Sequence, residues 1–331
     1  MAATKPDMGA QGASDGGPLG VAVRPLQEGE LDEADRIMRV AFGTFLGLPD
    51  PLAFMGDAGY VRTRWRADPA AALAAEVGGE LVGSNFAANW GSFGFFGPLT
   101  VRPDLWERGV ARRLLEPTMA LFERWGTRHA GLFTFPQSPK HLGLYQAFGF
   151  WPRFLTPVMS KAVGGAGSTT GWSRYGEAPE PERERALGAC RELRGAIYDG
   201  LDVSAEVRAV QAQGLGETVL LDGGGRLDGF AVCHCGSGTE AGGETCFVKF
   251  GAARPGPGAA EAFERLLDGC EALAAARGLG RLMAGVNTAR RDAYRRMLAR
   301  GFRADLVGVA MERPDEPGFN RPDVYVMDDW R

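Results

Sequence analysis

Residues 98–115 read Pro98-Leu99-Thr100-Val101-Arg102-Pro103-Asp104-Leu105-Trp106-Glu107-Arg108-Gly109-Val110-Ala111-Arg112-Arg113-Leu114-Leu115, and the fold is decided by how they are read. Residues 95–101 are apolar and predict a strand, broken by Pro98 and stopped by Pro103. After a short loop, Val110, Leu114 and Leu115 recur at three- and four-residue spacing and predict a helix over 107–125, ended by Gly126. Small residues at Gly109 and Ala111 let a phosphate approach the backbone where that helix begins. The free N–H groups of a first helical turn, with the positive end of the helix dipole, hold such an anion. Arg108, Arg112 and Arg113 add positive charge nearby.

Outward from this stretch, the pattern predicts a strand at 21–25, a helix over 28–47, a second helix near 58–66 and a hairpin over 71–90 turning at Gly78-Gly79. Strand 93–101 then leads into the stretch above. A strand at 129–135, a helix over 139–148 and a strand at 151–161 follow. The frame Trp106-Glu107-Arg108-Gly109-Val110-Ala111 resembles motif A of the GNAT acyl-CoA N-acyltransferases, Q/R-x-x-G-x-G/A, with Trp106 standing in place of the leading Gln or Arg. Leu144-Tyr145-Gln146-Ala147-Phe148-Gly149-Phe150 resembles that family's motif B, with a Tyr four residues before Gly-Phe. Motifs and element order agree over roughly residues 20–161.

The resemblance implies an α/β (α+β) fold with a mixed twisted sheet flanked by helices. It implies acetyl-CoA as acyl donor, no metal, and a primary amine of a small molecule or peptide as acceptor. Backbone groups of Leu99, Thr100 and Val101 would pair with the pantetheine. Arg108, Gly109, Val110, Ala111, Arg112 and Arg113 would hold the pyrophosphate, with Ser138 a further contact. Tyr145 would protonate the departing thiolate. No base for the amine announces itself, because strands 93–101 and 131–135 carry no carboxylate. His141, on the motif-B helix, is one candidate, with a solvent-facing orientation as its alternative; water held by Asn85, Asn89 or Ser138 is another. Trp65, Trp90, Phe93, Phe95 and Phe96 predict an apolar or aromatic acceptor side. The rival reading is a non-catalytic acyl-CoA-binding or scaffolding protein that kept the fold. A nucleotide-binding α/β protein rests only on Gly109-Val110-Ala111 and lacks the acidic residue for a ribose.

Beyond a Gly-, Ser- and Thr-rich linker at 164–180, the plan returns at an offset of 152 residues, setting Arg254-Pro255 against Arg102-Pro103, Gly278 against Gly126, Gly301-Phe302 against Gly149-Phe150 and Met311 against Met159. The chain therefore reads as two tandem domains, 20–163 and 181–331, after a tail at 1–19 expected to be disordered. In this frame Ala260-Glu261-Ala262-Phe263 replaces Arg108-Gly109-Val110-Ala111, and Met297 replaces Tyr145, with Tyr294 three residues earlier. The first domain is expected to be catalytic and the second to carry a degenerate CoA site.

Length and charge agree. At 331 residues the chain exceeds what one core usually supports. A net charge of −4 argues against a nucleic-acid partner, which needs a basic face. No 18-residue apolar run and no apolar segment after a basic start is present, so neither a membrane span nor a signal peptide is expected. Five cysteines, all in the second half, fit no disulfide or zinc spacing. The expectation is a cytoplasmic monomer or homodimer.

Overall fold

The computed structural model describes residues 20–164 and 171–331. The expected tail and part of the expected linker lie outside the described residues. The first half runs β1 (Val21–Pro25), α1 (Leu31–Leu46), α2 (Val61–Ala67), β2 (Ala72–Val77), β3 (Glu80–Trp90), β4 (Phe93–Phe96), β5 (Thr100–Val101), α3 (Val110–Trp125), β6 (His129–Thr134), α4 (Pro139–Gln146) and β7 (Trp151–Ala162). The second half repeats the order: β8 (Trp172–Arg174), α5 (Glu180–Ile197), α6 (Ser204–Gln213), β9 (Gly216–Asp222), β10 (Leu227–Gly236), β11 (Gly242–Ala253), α7 (Ala259–Ala276), β12 (Arg281–Gly285), α8 (Arg291–Ala299), β13 (Arg303–Arg313), then β14 (Val326–Met327).

Two expected boundaries move for physical reasons. The strand expected over 93–101 splits into β4 and β5, with Gly97-Pro98 between them. The helix expected from 107 starts at Val110, because Gly109 has φ 83°, which a right-handed helix cannot contain.

The described strands join one sheet of order β1-β2-β3-β4-β6-β13-β7-β12-β11-β10-β9-β8, with β5 paired to β3 and β14 to β11 off that path. The order shows an exchange that the repeat alone does not reveal. β7 leaves its own half and pairs with β12, setting Met283 against Ser160, while β13 pairs with β6, setting Met311 against Leu132. The two exchanged strands also pair antiparallel with each other, with Val309 opposite Leu155, on the pseudo-twofold line between the halves. Both bury side chains in the opposite core. Met159 packs among Leu266, Leu267 and Phe302, and Val309 and Met311 pack among Leu115, Tyr145 and Phe150. At about 1.5–3 kcal/mol per buried large apolar side chain, these contacts are part of each core's stability.

A third cluster joins the halves directly. Trp90, Phe93 and Phe95 of β3 and β4 pack on Phe230, Phe250 and Trp330 of the second half. Among the described residues no helix is long and apolar enough to cross a membrane.

Candidate active site

The site begins where the sheet opens. β4 runs parallel to β6, with Phe93 opposite His129 and Phe95 opposite Gly131. After Phe96 the chain leaves that pairing, and β5 bonds on one side to β3 through Ser84–Thr100 and Gly83–Val101. The other edge of β5 is open. Pro98, which has no N–H to offer a ladder, sits at the break.

The N-terminus of α3 faces the same opening. Gly109 caps it in the left-handed region, and a Cβ at Gly109 would meet nothing within 4 Å, so space lies in front of the turn. The first-turn amides of Val110, Ala111 and Arg112 have no acceptor among the described residues. Unsatisfied amides at the positive end of a 16-residue helix are the feature that binds an anion.

Between these elements lies a cleft of about 380 Å3. It gathers Leu99, Thr100 and Val101 from β5 and its approach, Gly109, Val110, Ala111 and Arg112 from α3, and Tyr145 from α4. Three expected residues are not on its walls. Arg108 is exposed in the turn before the cap, Arg113 points away to Glu116 at 3.0 Å, and Ser138 is buried at the start of α4. Trp106 serves the site differently from the Gln or Arg it replaces. Its Nε1 donates to the Val101 carbonyl at 2.8 Å, so its ring forms a wall, with the Lys140 ammonium 5.6 Å above it.

Tyr145 is 7 % exposed and packs against Phe96 at 5.8 Å between centroids. Burial raises its phenol above the usual range, opposed in part by a hydrogen bond with Thr134. The group therefore keeps its proton at neutral pH. One turn back on the same helix face, His141 also lines the cleft, its ring 5.0 Å from Phe45. Burial, and then the Lys140 charge, lower its pKa, so the imidazole is neutral at pH 7. Its Nδ1 is buried without a partner.

The other candidates for holding a proton-transfer water are tied into the fold, with Asn85 Oδ1 left buried without a partner. Asn85 donates to Thr118 at 2.9 Å, and Asn89 accepts from the Gly91 amide at 2.8 Å. The aromatic cluster expected at the acceptor side is also placed elsewhere. Trp90, Phe93 and Phe95 belong to the core between the halves, and Trp65 donates to the Leu26 carbonyl at 2.8 Å. Phe96 alone of the five lines a cavity beside Tyr145.

In the second half the helix register differs from the constant offset. α7 is capped by Gly258 at φ 86°, so Gly258, rather than Glu261, answers Gly109, and Ala260 answers Ala111. What distinguishes this half is the strand edge. β14 pairs with β11, Val326 on Ala252 and Met327 on Gly251, and both β14 residues are fully buried. At the 152-residue offset, Gly251 and Ala252 answer Leu99 and Thr100. The edge left open in the first half is thus covered in the second by the chain itself. Met297, at the position of Tyr145, is buried core.

The sequence profile of the acetyltransferase (GNAT) family matches residues 43–150. Among curated proteins no match is found. Among solved structures, a putative acetyltransferase from Pyrococcus horikoshii is similar at 14% identity and TM-score 0.67, covering 94% of this chain and 95% of that one. A GCN5-related N-acetyltransferase from Sphaerobacter thermophilus is 14% identical at TM-score 0.57, covering 88% of this chain and 95% of that one. A tandem GNAT protein from the clavulanic acid biosynthesis pathway is 14% identical at TM-score 0.53, covering 88% of this chain and 98% of that one. Residues 43–150 thus match the acetyltransferase (GNAT) family, and over its length the chain has the fold of these structures, a tandem GNAT protein among them.

Proposed function

We propose that this protein transfers an acetyl group from acetyl-CoA to a primary amine of a small molecule or peptide, by direct attack, in its first half. One observation carries the reading: the open edge of β5, the free amides of α3 and the buried phenol of Tyr145 meet in a single cleft. The pyrophosphate sits on the amides of Val110, Ala111 and Arg112, with the Arg112 guanidinium beside it. The pantetheine lies along β5 and takes the hydrogen bonds that a neighbouring strand would take. This brings the thioester to Tyr145.

A neutral amine attacks the carbonyl, forming the N–C bond. As the C–S bond breaks, the Tyr145 phenol gives its proton to sulfur, and the amine's surplus proton passes to His141. A thiol of pKa about 8.5 leaves more readily when it leaves protonated, and general acid help of this kind contributes roughly a hundred- to ten-thousand-fold. The covered edge of β11 in the second half supports one such site per chain.

Thiol release from acetyl-CoA, measured across a panel of primary amines, tests the reading. Amine-dependent release with formation of the N-acetyl product is expected. Saturable acetyl-CoA binding with no release across the panel would instead favour a binding or scaffolding role.

A further inference from the structure

Beside the acetyl-CoA cleft lies a second cavity of about 120 Å3, which shares with it Phe42, Leu99, His141 and Tyr145. A molecule held there meets the same phenol as the thioester. The cavity is composite. Met38 and Phe54 come from the first half, Leu306 from the exchanged strand β13, and Trp330 from the segment after β14.

Its chemistry is one-sided. Among the described residues no Asp or Glu side chain lines it. Arg331 is on the wall, but its guanidinium is engaged by Asp329 at 3.1 Å and stacks 4.5 Å over the Phe247 ring. Three polar atoms of its lining residues are buried without a partner: the hydroxyl of Tyr60, a residue 5 % exposed, Nδ1 of His141 and Nε1 of Trp330.

We propose that this cavity is the acceptor site, and that it takes a small primary amine with an apolar or aromatic body, bound as the uncharged free base. The inference deepens the acetyltransferase reading above and rests on it. An ammonium placed here would lose its water with no Asp or Glu side chain on the wall to replace it, and the several hydroxyls of a sugar would need more partners than these few atoms supply. An apolar body loses nothing and leaves water. Size points the same way, since an apolar cavity of about 150 Å3 takes up benzene, so a ring or branched chain of about six heavy atoms fits. The Tyr60 hydroxyl and His141 remain to hold the nitrogen.

The test is thiol release by the full chain with benzylamine, isoamylamine, putrescine, glucosamine and a lysine-containing peptide. Variants Leu306→Asp and Leu46→Asp, each placing a carboxylate on the cavity wall at a partly exposed position, are assayed alongside. The two apolar amines are expected to exceed the other acceptors in kcat/KM by about tenfold or more, the scale on which apolar pockets discriminate. Both variants should lower apolar-amine turnover by a similar factor while KM for acetyl-CoA holds. Faster turnover of putrescine, glucosamine or the peptide would overturn the inference and leave acetyl transfer standing, as would variants indifferent to the apolar amines. Should no amine release thiol, calorimetry with benzylamine decides. Saturable binding lost in Leu306→Asp supports the cavity while the transfer reading falls, and absence of saturable binding overturns the cavity too.

Discussion

A phenol serves as an acid only while it holds its proton, and at Tyr145 burial sees to that by penalising the phenolate. The raised pKa has a signed consequence. The phenol stays protonated well above neutrality, so in the proposed role of acid it costs kcat nothing on the alkaline side up to at least about pH 10, the unperturbed tyrosine value. Tyr145→Phe keeps the ring against Phe96 and Phe150 and removes only the hydroxyl. The expected result, by steady-state kinetics with any accepted amine, is a fall in kcat of roughly a hundred- to ten-thousand-fold, with acetyl-CoA affinity almost unchanged. Turnover at the wild-type level would reduce Tyr145 to a packing residue. The place of Tyr145 on the cleft wall is legible in the sequence because it lies only four residues before Gly149-Phe150. His141 is not, because an eight-residue helix with little apolar periodicity does not say which face is inward. Its enclosing rings are Phe45, from the distant α1, and Phe135, just after β6.

The opening between β4 and β5 can be read from Pro98 and from the motif that follows. The clamp that holds it cannot, because its parts are far apart in the chain. Arg64 of α2 donates to the Gly97 and Arg331 carbonyls and pairs in a fork with Glu240 of the second half, both contacts at 2.9 Å. Lys249 reaches the same carboxylate at 2.7 Å and Glu206 at 3.3 Å, and the Trp90 indole donates to Glu206 at 3.0 Å. Burial alone would raise the Glu240 carboxyl, but Arg64 and Lys249 outweigh it and hold it well below the usual range. Removing one member of a buried charge network costs about 3–5 kcal/mol, because the partner stays behind uncompensated. Arg64→Met should therefore lose stability on that scale in urea unfolding and raise KM for acetyl-CoA, since Gly97 anchors the approach to β5. A variant within about 1 kcal/mol of wild type, with KM unmoved, would mean that the opening holds its shape without the clamp.

Over the whole molecule, the constant 152-residue offset makes the tandem plan legible in the sequence, and it also hides two things. It places Glu261 opposite Gly109, whereas α7 begins three residues earlier than the offset predicts and is capped by Gly258 much as α3 is capped by Gly109. It also carries no sign that β7 and β13 exchange places. β6 and β12 both offer an antiparallel edge, and the strands that answer each other, with Met159 at the position of Met311, suit either core. What separates the halves is therefore the covered edge of β11 rather than the helix turn. In the proposed function, accordingly, only the first half binds and reacts. Ala111 and Ala260 occupy the same second position of α3 and α7, where a glutamate suits the helix dipole and should not unfold either helix. The decisive measurement is calorimetric acetyl-CoA binding, with amine-dependent thiol release, on Ala111→Glu and Ala260→Glu. One site per chain in the wild type and in Ala260→Glu, with binding and turnover both lost in Ala111→Glu, is the predicted result; two equivalent sites, or loss in Ala260→Glu alone, would contradict it.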